Sequence, residues 1–263
     1  MAGILSDRAV ISVSEPEAKS FLQGLITNDV RRLSPDAPLY AALLTPQGKI
    51  LFDFLVSESG GTIHLDCQAA VADALLKRLT LYRLRARVEL ARRDDLRVLW
   101  NSDAGAPDPR SAELGPRAIS AAQGPDASAD YLSRRLELGI PEGADFGSDK
   151  IHALDAGLDE LHGVSFDKGC YIGQELTARM KHRGTARKRL LPVASPAGAL
   201  PSPGSEIRAG STSLGEIAST YGSEGFALIR LDRWEEAGQA QAMAGELPVQ
   251  IRKPAWLTAA AGS

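Results

Sequence analysis

Cysteine is scarce in this sequence: Cys67 and Cys170 are the only two among 263 residues. Two cysteines cannot build the disulfide framework of a small secreted protein, so we predict a reducing compartment. The four histidines form no HExxH arrangement, and neither a CxxC pair nor any other Cys/His spacing typical of a metal site occurs. We therefore predict no permanent metal.

Long apolar runs are also missing. No run approaches the ~20 residues that a helix needs to cross a bilayer. Residues 1–12 contain Asp7 and Arg8 instead of the apolar segment of a secretory signal. We predict a cytoplasmic protein without a membrane segment. The net charge of −3 gives no overall attraction to nucleic acid, which argues against direct nucleic-acid binding.

The N-terminal part has the pattern of an α+β fold. Ser14 and Glu17 are spaced as a capping box, which predicts that a helix begins at Ser14. Strand-like runs separated by Gly-containing turns then predict an antiparallel meander, and helical spacing of apolar residues predicts a second helix. These runs lie at 39–45, 49–57 and 62–67, and the helix at 69–82.

The chain is longer than the usual length for a single core, so two or three parts are expected, and we divide it into three. Residues 1–100 form an N-terminal α+β part. Residues 101–188 form a second α+β part. In 189–263 short β-prone runs alternate with Gly and Pro, which predicts a small all-β barrel.

One segment, residues 168–175, has an unusual combination of residue types. Its glycines permit backbone conformations that other residues would strain, and from Gln174 onward the spacing is helical. Cys170 then precedes a helix N-terminus, where the helix dipole and the charge of Lys168 favour a reactive thiolate. The alternative is a buried structural cysteine in a tight turn.

The same segment resembles the signature of YgfZ-type folate-binding proteins. These are relatives of the glycine-cleavage T-protein and include mitochondrial iron–sulfur assembly factors. The residues that carry this resemblance are Lys168, Gly169, Cys170, Tyr171, Gly173, Gln174 and Glu175. Residues 21–30 are similar to the N-terminal helix and turn of T-proteins. The resemblance implies an α+β, three-lobed ring with folate in a central channel and a C-terminal all-β barrel lobe. It also makes residues 1–100 the folate-binding lobe.

The resemblance also implies a function. It indicates an accessory protein that binds tetrahydrofolate or a derivative and assists iron–sulfur cluster assembly or repair. Its partners are expected to be iron–sulfur client or assembly proteins, including enzymes that modify tRNA. Cys170 is the expected functional thiol, in contact with a partner, a cluster or the bound folate.

Three residues are expected near folate. Residues 135–140 are similar to a T-protein stretch whose glutamate holds the pterin, and this role falls on Glu137; the alternative is a surface glutamate. Asp53 matches the second aspartate of a T-protein pair, or else is a strand residue facing water. Asn28 lies in a turn that the family places near the channel.

The first aspartate of the T-protein pair is replaced here by Phe52, which cannot transfer a proton. This replacement argues against T-protein chemistry, although a folate-dependent aminomethyl transferase remains the main alternative function. An RNA-binding protein is a third reading, based on a local basic cluster at Arg179, Lys181, Arg183 and Arg187. That cluster could instead attract an oligoglutamate tail of folate or an acidic partner, or be a solvated helix face.

Overall fold

The computed structural model describes residues 2–184 and 187–259. A five-stranded antiparallel sheet forms the first part, with its strands in the order β3-β4-β5-β2-β6. Its members are β2 (Arg8–Ser14), β3 (Leu39–Leu44), β4 (Ile50–Ser59), β5 (Thr62–Gln68) and β6 (Glu89–Arg92). The meander predicted from the turn signals is therefore present as β3, β4 and β5.

Two helices, α1 (Ala18–Gln23) and α2 (Ala72–Arg83), cover one face of this sheet. Alternation along β4 sends Phe52 and Phe54 to the helix side, where both pack in one apolar core. Asp53 consequently points to the opposite face. The replacement at Phe52 therefore has a packing reason, because this position belongs to the core beneath the helices.

The predicted start of the first helix is wrong. Ser14 ends strand β2, and the helix begins only at Ala18. The Glu17 side chain does not complete a capping box, because its carboxylate accepts hydrogen bonds from the backbone and the guanidinium of Arg87. A contact with Arg87, in the loop that precedes β6, has thus replaced the local cap.

A second sheet has four strands in the order β1-β7-β9-β8, and it combines two strands from residues 1–100 with two from the predicted second part. Its strands are β1 (Gly3–Ile4), β7 (Arg97–Trp100), β8 (Ala106–Pro107) and β9 (Pro116–Ser120). Helix α3 (Ser128–Leu138) packs on it through an edge-to-face contact between Tyr131 and Trp100, with ring centres 5.7 Å apart. The chain start thus pairs with strands that follow the first sheet.

Beyond α3 an irregular segment runs back along the first sheet and leads into helix α4 (Gln174–Arg183). A closed barrel follows, in the order β10-β13-β12-β11-β14-β15, which confirms the predicted all-β part. Its strands are β10 (Lys188–Ala194), β11 (Glu206–Ala209), β12 (Thr212–Tyr221), β13 (Glu224–Arg230), β14 (Ala242–Ala244) and β15 (Leu247–Ile251).

Two short helices complete the barrel region, α5 (Leu231–Ala237) and α6 (Ala255–Ala259). Short 3-10 helices occur elsewhere in the chain, at Val30–Arg32, Ala69–Val71, Ala112–Leu114 and Gly143–Asp145. Within the described residues, no helix combines the length and the apolarity that crossing a membrane requires.

Candidate functional site: an exposed thiol loop and an inner cleft

Four arginines and five carboxylates with buried side chains meet where the three parts join, and we call them the charge network. Glu142 lies at its middle: its carboxylate contacts Arg8 at 3.4 Å and accepts hydrogen bonds from Arg110 and from the Tyr131 hydroxyl. The members are Arg8, Arg110, Arg117, Arg135, Asp53, Asp66, Asp108, Glu142 and Asp145.

Asp53 is the member of the network whose negative charge is least compensated by neighbouring groups. Its carboxylate accepts a hydrogen bond from the Gly143 N–H at 2.9 Å and one from the Tyr40 hydroxyl at 3.2 Å. Burial, and then the nearby charge of Glu142, raise the pKa of Asp53 to about 6. Its oxygens are thus already bonded to the chain itself. The alternative of a strand residue facing water is wrong, because Asp53 is buried.

Cys170 lies on an exposed loop just before α4. Gly173, the N-cap of that helix, has φ +84°, and a Cβ atom there would lie 2.6 Å from the Thr45 carbonyl oxygen. Only glycine fits this left-handed, tightly packed position. Gly169, in contrast, lies outside the left-handed region and has open space around it, so its expected strain is absent. The alternative of a buried cysteine is wrong.

Lys168 anchors the loop from its other end. The residue is 5% exposed, and its ammonium donates to the carbonyl oxygens of Ile26 at 2.6 Å and Asn28 at 2.8 Å. Burial lowers the pKa of Lys168 to about 8. Its charge is therefore directed to the turn at 26–29, and the expected support of a Cys170 thiolate remains a prediction.

Asn28 belongs to this anchor. Its side-chain amide donates to the carbonyl oxygens of Tyr40 and His162, each at 2.8 Å, and its side-chain oxygen accepts from the Asp29 N–H at 2.9 Å. These bonds join the first part to the segment that precedes the loop. Asn28 is thus engaged in positioning the loop.

An inner cleft of about 320 Å³ lies between the two sheets. That volume is within the range of small-molecule sites. Leu55, Val98 and Ile119 provide apolar lining, and His64 and Ser57 provide polar groups. The charged residues of the lining are Asp36, Glu58, Asp66, Asp108 and Arg117.

Comparisons with known proteins agree with this architecture. Residues 187–259 match the family model of the CAF17 C-terminal beta-barrel domain. The glycine cleavage system aminomethyltransferase T from Bartonella henselae has a similar structure, with a TM-score of 0.70 over 97% of this chain and 85% of that chain. At 16% sequence identity, this likeness shows the fold, and it confirms the predicted T-protein-like arrangement.

Curated relatives extend over most of the chain. Human iron-sulfur cluster assembly factor IBA57, mitochondrial, is 34% identical over 88% of this chain and 77% of its own length. The mouse protein of the same name is 34% identical over 86% and 76%. This chain belongs to the IBA57 family.

The family relationship corrects the expected location. Both IBA57 relatives carry the word mitochondrial in their names, which points to mitochondria, and the cytoplasmic prediction is wrong. The prediction rested on the lack of a secretory segment. Such a lack bears on export and does not distinguish the cytoplasm from an organelle.

Glu137 is not part of the inner cleft of this IBA57-family chain. Its side chain is 69% exposed and is paired with Arg134 at 2.7 Å. It lines an open groove between α3 and the barrel, together with Arg252. The three residues expected near folate are therefore in three places: Glu137 outside, Asp53 in the charge network, and Asn28 beneath the Cys170 loop.

The predicted basic cluster is exposed along and beyond α4, at Arg179, Lys181, Arg183 and Arg187. Lys181 pairs with Asp159 at 2.8 Å, and its ammonium also lies 5.3 Å from the centre of the Phe166 ring. Phe166 is one of the large apolar side chains that remain exposed. The exposed thiol and this basic helix face belong to one stretch of chain.

Sequence reasoning missed two features of the site, the charge network and His64. His64 and Asp66 alternate with the apolar residues Ile63, Leu65 and Cys67 along β5. Such alternation indicates a polar face. This pattern predicts that His64 lies on the face of the sheet opposite the helices.

Proposed function

We propose that this chain assists the assembly or repair of iron–sulfur clusters in other proteins, the activity that the names of its IBA57 relatives state for those proteins. The observation that carries the proposal is the exposed thiol of Cys170, on a loop fixed by Lys168 and Gly173. Cysteine thiolates are the usual protein ligands of iron–sulfur clusters. The YgfZ-type resemblance of residues 168–175 supports the same assignment.

The partner proposed for this loop has an acidic surface. The chain as a whole has a net charge of −3, yet α4 presents exposed basic residues beside the loop. Complementary charge steers such encounters and fixes their orientation. The proposed partners are iron–sulfur assembly or client proteins, among them the enzymes that modify tRNA.

We further propose tetrahydrofolate or a derivative as the ligand of the inner cleft. The cleft fits the head of a folate: apolar side chains line it, and carboxylates around it can accept hydrogen bonds from ring and amine N–H groups. Ser57 and Glu58 are the side chains proposed to hold it. A bound reduced folate would supply a carrier for one-carbon units. The aminomethyl-transferase alternative gains no support, because Phe52 lies in the helix core and Asp53 is already bonded.

Complementation tests the assembly function. Cells lacking the gene receive the unaltered chain, Cys170→Ser or Cys67→Ser, and the activities of [4Fe–4S] enzymes and of tRNA-modifying radical enzymes are measured. We expect Cys170→Ser to fail, whereas Cys67→Ser, which changes the buried thiol, should restore activity if it accumulates normally. Full enzyme activity in the deletion strain under oxidative stress, or full rescue by Cys170→Ser, would contradict the proposal.

A further inference from the structure

His64 is a buried polar side chain in the wall of the inner cleft. It lies on β5 opposite Ser12 of β2 and Ser57 of β4, and the residue is only 7% exposed. The side chain lines the cleft. Its position is therefore fixed by strands on both sides, as a rigid binding site requires.

The imidazole has no hydrogen-bond partner among residues 2–184 and 187–259. A buried polar group without a partner is destabilising. Neither ring nitrogen of His64 is both fully enclosed and unpaired in the described chain. Since the side chain lines the cleft, these nitrogens remain accessible from it. A group inside the cleft can thus complete the hydrogen bonding of His64.

The surroundings favour the uncharged form of this ring. Burial and the nearby charge of Arg93 lower the pKa of His64, and the carboxylate of Asp95 opposes them. A neutral imidazole has one donor and one acceptor nitrogen. On the cleft side the charged neighbours are Asp36, Glu58, Asp66, Asp108 and Arg117.

The charges of the lining restrict the ligand. Three of its four carboxylates are paired, Glu58 with Lys19, and Asp66 and Asp108 with arginines. Arg117, the cation among the described lining residues, is itself paired with Asp66 and Asp108, so it is not available to hold an anionic group. A flat, uncharged heterocycle with donors and acceptors on its edge suits the apolar lining, the carboxylates and the imidazole. The glutamate tail of a folate, which is anionic, belongs outside.

We propose that His64 is a binding residue of the inner cleft, which hydrogen-bonds the edge of an uncharged heterocyclic head group. The inference rests on the proposed folate ligand and adds to it both a contact residue and an orientation, with the head inside and the tail at the mouth.

Calorimetric titration with three probes tests this: tetrahydrofolate, a tetrahydropterin as the head alone, and p-aminobenzoylglutamate as the tail alone. The variants are His64→Phe, which keeps a flat ring without hydrogen bonding, and His182→Phe on the exposed face of α4 as the matched control. We expect His64→Phe to weaken the binding of tetrahydrofolate and of the tetrahydropterin about tenfold or more. His182→Phe should bind like the unaltered chain.

The outcomes separate the two proposals. Saturable folate binding with equal affinity in folded His64→Phe overturns the role of His64 and leaves folate as the ligand. Tail binding without head binding overturns the orientation. If the unaltered chain shows no saturable binding, the folate proposal fails and the inference fails with it.

A second measurement tests the inference on the unaltered chain, in case the His64→Phe chain does not fold. The unaltered chain, labelled with ¹⁵N in its histidines, is titrated with the tetrahydropterin, and the ring nitrogen signals are followed. We expect the ring nitrogen signals of one of the four histidines to shift. They are assigned to His64 by elimination, because the signals of His152, His162 and His182 are each identified as those missing when that histidine is replaced by Gln. Unshifted His64 signals at saturation overturn the inference.

Discussion

Buried charges are compensated by different groups in the charge network and in the Cys170 loop. In the network, carboxylates and guanidinium groups lie in direct contact, as in the pair of Arg8 Nε and Asp66 at 2.6 Å. In the loop, the buried ammonium of Lys168 bonds to two carbonyl oxygens instead of a carboxylate. The network therefore connects the parts of the molecule, whereas the loop is held in position by Lys168 and leaves the thiol of Cys170 exposed.

The network connects all three parts of the molecule. Asp145 accepts a hydrogen bond from Arg135 of α3 and also from Ser219 and Tyr221 of barrel strand β12. Buried ion pairs add little net stability compared with well-packed apolar residues, yet an unpaired charge left behind is costly. The network thus fixes how the parts meet, and removing one member should be severe.

The largest expected effect is that of Glu142→Ala. Burial alone would raise the pKa of Glu142, but the guanidinium groups of Arg8, Arg110 and Arg135 hold it well below its usual value. Removing this carboxylate leaves buried arginines without their partner, so we expect the free energy of unfolding to fall by about 3–5 kcal/mol. Urea unfolding followed by circular dichroism measures it.

Glu137→Ala is the matched control, since it removes the same group from an exposed pair. Exposed ion pairs contribute about 0–1 kcal/mol, so its unfolding curve should nearly overlay that of the unaltered chain. Equal losses for the two variants would show that the network is not the structural centre we describe.

Asp53→Asn should change the free energy of unfolding less than Glu142→Ala does, and should raise it instead of lowering it. The folded pKa of Asp53 is about 6 against an ordinary 3.8, so the folded chain binds more protons between these values and stability falls as the pH rises through them. The amide has no such dependence. The free energy of unfolding of the variant, relative to that of the unaltered chain, should therefore rise between pH 4 and pH 7, by at most about 3 kcal/mol.

Unfolding curves at pH 4, 5, 6 and 7 provide the measurement, with Asp36→Asn at the rim of the cleft as control. An Asp53→Asn chain that loses stability relative to the unaltered chain as the pH rises would show that the carboxylate is better compensated than its contacts indicate.

The Cys170 loop could be anticipated from sequence because its features depend on neighbouring residues. Gly173 and the helical spacing after Gln174 are local signals, and the structure places a left-handed N-cap and a helix there. The strands and the barrel were predictable for a similar reason, since alternation and turn residues are local.

The charge network could not be anticipated, since its contacts join residues that are far apart in the chain. Arg8 meets Glu142, and Asp53 meets Gly143. Each residue alone looks like an ordinary surface charge. For Glu137 a short motif match predicts a contact with folate, and the structure places its side chain on the outside, paired with Arg134.

The smallest expected effect on stability belongs to Cys170→Ser, within about 0.5 kcal/mol, because an exposed side chain loses little on substitution. Reactivity should instead distinguish the two thiols. Cys67 is buried, and burial raises its pKa to about 12, whereas Cys170 is exposed.

A disulfide reagent at pH 8 should therefore label one thiol per chain at once and the second more than about 100-fold more slowly, since Cys67 reacts only after a local opening. Cys170→Ser should abolish the fast phase, and Cys67→Ser should abolish the slow one. Two equally fast thiols would mean that the first sheet opens readily, and a missing fast phase would mean that the loop hides its cysteine. Either result would remove the contrast between a fixed centre and an accessible arm on which the proposed function depends.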